Sequence, residues 1–377
     1  MKRLWLCFTV LLVFAFGFSA LAAEKSTDYE EQMESSGAVH LMDALSEESK
    51  ELLETLGIDS VDFDSLFHVS PKQVLSLFFE VIRNEYHSPF KTALSAASVL
   101  LMLAVAQSFL DGETPLSKSV MHIGCVVLAL VVVVPMAECL VRLVSAVTAQ
   151  SNLMLALIPV LAVVITVSGN PTLALSYNTL TFAMAQGTVQ LVQGTVQPLI
   201  QMMLSLGIVS SFSDSLGLEK AIAFIKKSGI FLMSLVSTVF VTMLVLKGTL
   251  ASSADTVAVR GIRFIIGRAI PVVGSAVSDA YLSLIGSMNL VKNTAAVFAI
   301  VCILLIALPV LTEGLLWSVT VNLLASFSEL FGLSKPAELL RNLSGGLTLL
   351  NVTLLLASVV AVLSVGLILV IKSSAGG

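Results

Sequence analysis

Five glutamines recur in one of the apolar stretches of the chain, at spacings of 4, 3, 4 and 4 residues. On an α-helix these positions project within an arc of about 80°. An unpaired polar group in hydrocarbon costs on the order of several kcal/mol, so we expect these amides to face protein, water or a solute. Two interpretations are open: hydrogen bonds between neighbouring spans, or the polar wall of a permeation path. This set, named here the glutamine face, consists of Gln186, Gln190, Gln193, Gln197 and Gln201.

A second set of polar residues is basic and lies farther along the chain. On a helix, Arg260, Arg263 and Arg268 project within an arc of about 140°, and apolar side chains fill the opposite side. The pattern predicts a basic amphipathic helix near 257–270, which Pro271 makes unfavourable to continue. Three interpretations are open: a helix lying among lipid headgroups, a face that docks an acidic partner or lines a solute path, and ordinary packing between spans.

One pair of opposite charges lies near the end of an apolar run. Glu138 and Arg142 are four residues apart, so they share one helix face. The simplest interpretation is an intramembrane ion pair, and a gating or proton-relay role is the alternative.

Sequence signatures of catalysis are missing from the chain. It has no GxxxxGK[ST], HExxH, GxSxG or CxxC pattern, and its four histidines, including His122 in an apolar run, lack metal-ligand spacing. We therefore expect no enzyme, cofactor or metal site. Nucleic-acid binding is not expected either, because the basic cluster has Phe264 as its single aromatic residue.

The composition is that of a polytopic membrane protein. Of the 377 residues, 56% are hydrophobic and 12% charged, with a mean hydropathy of +0.98, whereas soluble domains carry about one quarter charged residues. Three of the four cysteines, Cys125, Cys139 and Cys302, fall in apolar runs without paired spacing. We expect them to be buried thiols.

The N-terminus has the pattern of a secretory signal peptide, residues 1–22, with two basic residues, an apolar run and a small-residue stretch. An uncleaved anchor is the alternative. Cleavage would place residues 23–90 outside the cytoplasm, and this region is acidic, because 15 of the 25 Asp and Glu residues lie between Glu24 and Glu85. Serine caps predict helices after Ser46 and after Ser70, the second with Gln73 completing a capping box.

We expect residues 91–377 to form a multi-span membrane domain, and the predicted fold class is all-α. Six stretches approach the roughly 20 apolar residues that a span needs. They are 91–110, 120–144, 152–168, 228–250, 293–312 and 346–371. The stretch 171–212 is less apolar and is broken by glycines and a proline, so it predicts two spans or one span with a re-entrant piece. The total is about six to eight spans.

The central sequence is also familiar. SSADTVAVRGIRFIIGRAIPVVGSAVSDA, residues 252–280, followed by LVKN at 290–293, resembles the most recognisable block of the stage III sporulation protein AE family of endospore-forming bacteria. The order of signal peptide, short extracytoplasmic region and many spans is similar as well. The resemblance extends over nearly the whole chain, although its specificity rests mainly on this block.

The resemblance implies a multi-pass protein of the mother-cell membrane around the forespore. Such proteins act with the other stage III A-operon proteins, and indirectly with the forespore stage II Q protein, in a channel-like apparatus that endospore formation requires. Within this apparatus the chain would be a conduit or an assembly platform. Its partners would include the lipid bilayer, and a homo-oligomer is compatible with this role. The alternative is a stand-alone secondary transporter of a neutral or mixed-charge small solute, which predicts internal inverted repeats. The sequence has no convincing repeat.

Overall fold

The computed structural model describes residues 28–67, 69–110, 114–168, 170–210, 218–269 and 274–370, with the backbone alone over 247–285. All regular structure in these ranges is helical, and six helices are long and apolar enough to cross a membrane. The predicted class, a polytopic all-α membrane protein, is confirmed. The signal peptide predicted at 1–22 lies outside the described residues.

Short helices form the acidic N-terminal region, with a 3₁₀ turn between the first two. They are α1 (Asp28–Ser35), α2 (Glu47–Thr55), α3 (Phe63–Phe67) and α4 (Pro71–Glu85). Both predicted helix starts are confirmed: the Ser46 hydroxyl accepts from the Ser49 amide, and Ser70 and Gln73 form the complete capping box. These caps satisfy amides that have no partner within the helix.

Long helices make up the rest of the chain. They are α5 (His87–Phe109), α6 (Pro115–Val167), α7 (Pro171–Leu191), α8 (Gln197–Ser210), α9 (Leu218–Ala269), α10 (Gly274–Leu330) and α11 (Ser334–Val370). The spans expected at 120–144 and 152–168 are one 53-residue helix, α6. A helix of that length is about 80 Å long, more than twice the roughly 30 Å of a bilayer core.

The outward residues of α6 change character along its length. Before Arg142 they include the large apolar side chains of Ile123 and Leu130. After Arg142 they are mostly small or polar, such as Ser145 and Asn152, with Val163 as the exposed large apolar exception. The first half of α6 therefore has the surface of a lipid-facing helix and the second half does not.

The stretch 171–212 has neither of the two predicted arrangements. Helices α7 and α8 are joined by a π-helical turn, Val192–Val196, into one helical run of 40 residues. The backbone N–H of Gln197 donates to the backbone carbonyl of Val192, five residues earlier, as in a π-helix. Pro198 has no amide hydrogen for the usual bond to residue 194, and the π turn absorbs this defect without breaking the helix.

Helix α10 occupies the centre of the bundle. From 287 to 318 it has no exposed residue, and Trp317 is fully buried. Helices α6 and α11 pack along it, and α1, α2 and α4 cover another side. The Tyr29 hydroxyl of α1 donates to Thr294 of α10 at 3.2 Å. The N-terminal helices thus pack against the most apolar part of the bundle.

The three thiols behave as the sequence predicts. Cys125, Cys139 and Cys302 are free and buried. Among the described residues, no group of three or more His, Cys, Asp or Glu side chains could hold a metal ion.

Candidate functional site

The glutamine face runs along α7, the π turn and α8. Gln186, Gln190, Gln193 and Gln201 are exposed and Gln197 is half-buried. Within the part of the chain that the structure describes, none of the five amides hydrogen-bonds to another helix. The face therefore points away from the rest of the chain. It does not join this chain's own spans.

The opposite side of the same helical run packs inward. Val192, Val196 and Met203 are fully buried there. An added Cβ at Gly187 would lie 3.1 Å from the Phe240 ring of α9, so the glycine permits close packing of the two helices. Because apolar packing fixes this side against α6, α9 and α11, the amides are held outward.

Other helices of the bundle expose large apolar side chains on parts of their surface. Large side chains such as Met102 of α5, Leu130 of α6 and Phe231 of α9 are more than half exposed, as lipid contact requires. The glutamine face is thus a polar strip on a bundle whose other helices include apolar, lipid-facing surface. From Gln186 to Gln201 it is about 22 Å long, most of the thickness of a bilayer core.

The π turn lies in the middle of this strip. Gly194 is exposed, and an added Cβ would meet no atom within 4 Å. A helix from outside the chain could approach the backbone closely at this point, as small residues allow in membranes.

A second polar cluster surrounds Arg142 on α6. Its Nη1 and Nη2 donate to the two oxygens of Glu85 at 2.7 and 2.8 Å, and Nη1 also donates to Glu313 at 2.9 Å. Glu48 of α2 lies 3.6 Å from Nη2. Glu313 and Glu85 are 7% and 15% exposed, so the ion pairs are largely shielded from water. The cluster connects the acidic N-terminal region to two long helices.

The expected partner of Arg142 was Glu138, and the structure differs. Glu138 is exposed, and no described ion pair joins it to Arg142. Sequence spacing reveals neighbours one helical turn apart, whereas Glu85 and Glu313 are 57 and 171 residues away. The bidentate geometry with Glu85 and the burial of Glu313 make these the better partners.

Sequence reasoning also missed two buried amides that join helices. Gln150 of α6 donates to the Ile303 carbonyl of α10 at 3.1 Å and to the Ser358 hydroxyl of α11 at 2.8 Å. Asn351 of α11 donates to the hydroxyl of Ser318 at 3.3 Å. The sequence signal for each was a single amide residue in an apolar run, and a single residue has no spacing that would indicate its partner. Unlike the glutamine face, these two amides join helices of the same chain.

The side chains of the basic face, Arg260, Arg263 and Arg268, belong to a part of α9 for which the structure describes only the backbone. The backbone of α9 is helical through Ala269, which agrees with a helix over 257–269. The side chains of Arg260, Arg263 and Arg268 lie outside the described residues, so their role stays a prediction.

Comparison with known proteins identifies relatives by sequence. The profile of the family described as stage III sporulation protein AE matches residues 50–372. A Bacillus subtilis (strain 168) protein, stage III sporulation protein AE, is 26% identical over 163 residues, which are 43% of this chain and 41% of the relative. The alignment therefore spans less than half of that relative's length. No solved structure matches.

Proposed function

Because this chain belongs to the stage III sporulation protein AE family, we propose that it is an integral membrane component of the channel or secretion-like apparatus between mother cell and forespore, as a conduit or an assembly platform. Its partners would be the other stage III A-operon proteins and, indirectly, the forespore stage II Q protein. Its place would be the mother-cell membrane around the forespore, with the N-terminal region extracytoplasmic.

The observation that supports this role is the outward direction of the glutamine face. Exposed amides along most of a bilayer's thickness are costly in lipid and call for protein or water beside them. A platform would cover the face with another membrane helix, and a conduit would place water along it. Both roles need contacts outside the single chain.

A stand-alone transporter is less well supported. Such a protein encloses its solute site between its own helices near the middle of the membrane. The glutamine face lies outside this bundle, so one chain does not wrap around it. The transporter hypothesis predicts solute uptake by the purified protein alone.

The test replaces all five glutamines with leucine in the full chain in a sporulating host. We expect spore formation to be lost, because leucines cannot make the polar contacts with protein or water that the glutamines make outside the chain. A matched variant replaces outward apolar residues of the first half of α6, Ile123 and Leu130, with alanine, and we expect it to support spore formation. Normal sporulation by the leucine variant would overturn the proposal.

A second measurement separates the two forms of the proposal. Single cysteines at 190 and 197, in a variant without native cysteines, are exposed to a membrane-impermeant maleimide in intact cells. Labelling at both positions would indicate water along the face and a conduit. Protection at both, with labelling at an exposed position of the N-terminal region such as Asp59→Cys, would indicate a covered face and a platform.

A further inference from the structure

The occupant of the glutamine face is not specified by the family assignment. The face carries no charge, so it does not select a cationic or an anionic partner. Each primary amide has two donor hydrogens and an acceptor oxygen. A surface made only of such groups is complementary to itself, because every amide can donate to and accept from an identical one.

The surroundings of the face favour another helix over lipid. The packed side of α7 and α8 is complete within the chain, with Val196 and Ile200 buried. The outer side combines amides with Gly194, over which no atom lies within 4 Å of an added Cβ. Membrane helices associate through such small residues and interhelical hydrogen bonds, since apolar surface alone gives no driving force in lipid.

We propose that a second copy of this chain occupies the glutamine face, with amides of α7 and α8 in one copy hydrogen-bonded to those of the next. This deepens the proposed function and rests on it, because it names the partner of the same face. In two copies of the chain, the strips from Gln186 to Gln201 have the same length and the same amide groups. Each strip also has the uncovered Gly194 at its centre. A face that contacts itself in this way is related by a twofold axis, so the contact gives a closed dimer with the two polar strips at the axis.

The first test is covalent trapping between copies. Two versions of the full chain without native cysteines, each with a different tag, are co-expressed in a host that lacks the other sporulation proteins. Each carries one cysteine at 190, 193 or 197, and membranes are treated with a short bismaleimide. We expect a product of two chains that carries both tags. The matched control places the cysteine at Leu130, an exposed apolar position of α6, where we expect no such product.

A second test removes the amides without adding a probe. Gln190→Leu, Gln193→Leu and Gln197→Leu are combined, and co-purification of the two tagged copies is measured in mild detergent. We expect association to weaken at least about tenfold, the combined effect of losing several interhelical hydrogen bonds. Ile123→Ala with Leu130→Ala, on the lipid-facing half of α6, should leave co-purification unchanged. Equal thermal stability of the two variants would exclude unfolding as the cause.

The outcomes separate this inference from the proposed function. No two-tag product at any face position, or unchanged co-purification of the leucine variant, would overturn pairing between copies. If the leucine variant still blocked sporulation in that case, the face would belong to a different protein or to water, and the proposed function would stand. If sporulation and pairing were both unaffected, both proposals would fail.

Discussion

The guanidinium of Arg142 on α6 donates to Glu313 on α10 at 2.9 Å, across 171 residues of sequence. The same guanidinium holds Glu85, the last residue of α4, with both terminal nitrogens. Removing one member of a shielded ion cluster leaves the others desolvated and unpaired. The N-terminal region and the bundle therefore share a charge cluster that neither completes alone.

Arg142→Ala should destabilise the protein by about 1–3 kcal/mol, less than for a fully buried pair because the arginine is itself 36% exposed. Thermal unfolding in detergent measures the loss, and limited proteolysis should show cleavage between α1 and α4. The control is Glu138→Gln, an exposed carboxylate on the same helix face, which should stay within about 0.5 kcal/mol. Equal effects of the two substitutions would contradict the assignment of partners.

Gly314→Ala should be destabilising, by about 1–3 kcal/mol. An added Cβ would collide with the Asn351 amide, which is buried and donates to Ser318. The control is Gly366→Ala on α11, where an added Cβ meets nothing within 4 Å, and there alanine should be neutral or stabilising. Gly314→Ala should lower the melting temperature, whereas Gly366→Ala should leave it unchanged or raise it. A stable Gly314→Ala protein would mean that Asn351 can leave its site at little cost.

Gln150→Leu and Gln193→Leu should have different effects, although each replaces a glutamine in a membrane helix. Gln150 is buried and bonded to α10 and α11, so its loss should cost about 1–2 kcal/mol. Gln193 is exposed and has no described hydrogen bond to another helix, so leucine should not destabilise the isolated chain. Melting temperature in detergent, at a concentration where copies do not associate, measures both. A comparable loss at Gln193 would show that the face packs within the chain.

Ser70→Ala should weaken the start of α4 by about 1 kcal/mol, because the capping box is broken and the backbone N–H of Gln73 keeps only one of its two acceptors, the Ser70 carbonyl at 3.0 Å. The effect should appear as faster hydrogen exchange in the first turn of α4. The control is Ser76→Ala on the same helix, where the exposed hydroxyl bonds only to the Gln73 carbonyl. If exchange at Gln73 stayed as slow as in the parent, the cap would not be what holds this turn.

Some features of the fold follow from local sequence alone. The helix starts at Ser46 and Ser70 are local, since a cap needs only residues three positions apart. The common face of the five glutamines is local too, because helical periodicity fixes it once the helix forms. The π turn needed more than the presence of Pro198, because breaking the helix and absorbing the defect satisfy the same local rule.

The membrane class, the helical content and the amphipathic pattern of this protein can be predicted from sequence, because all three follow from short-range chemistry. Long-range packing is needed to show that 120–168 is one helix, that Arg142 binds Glu85 and Glu313, and that the glutamine face points outward. These features depend on which apolar faces pack together. Periodicity shows that a helix has two sides, but only the packing of α7 and α8 against α6, α9 and α11 determines which side remains outside.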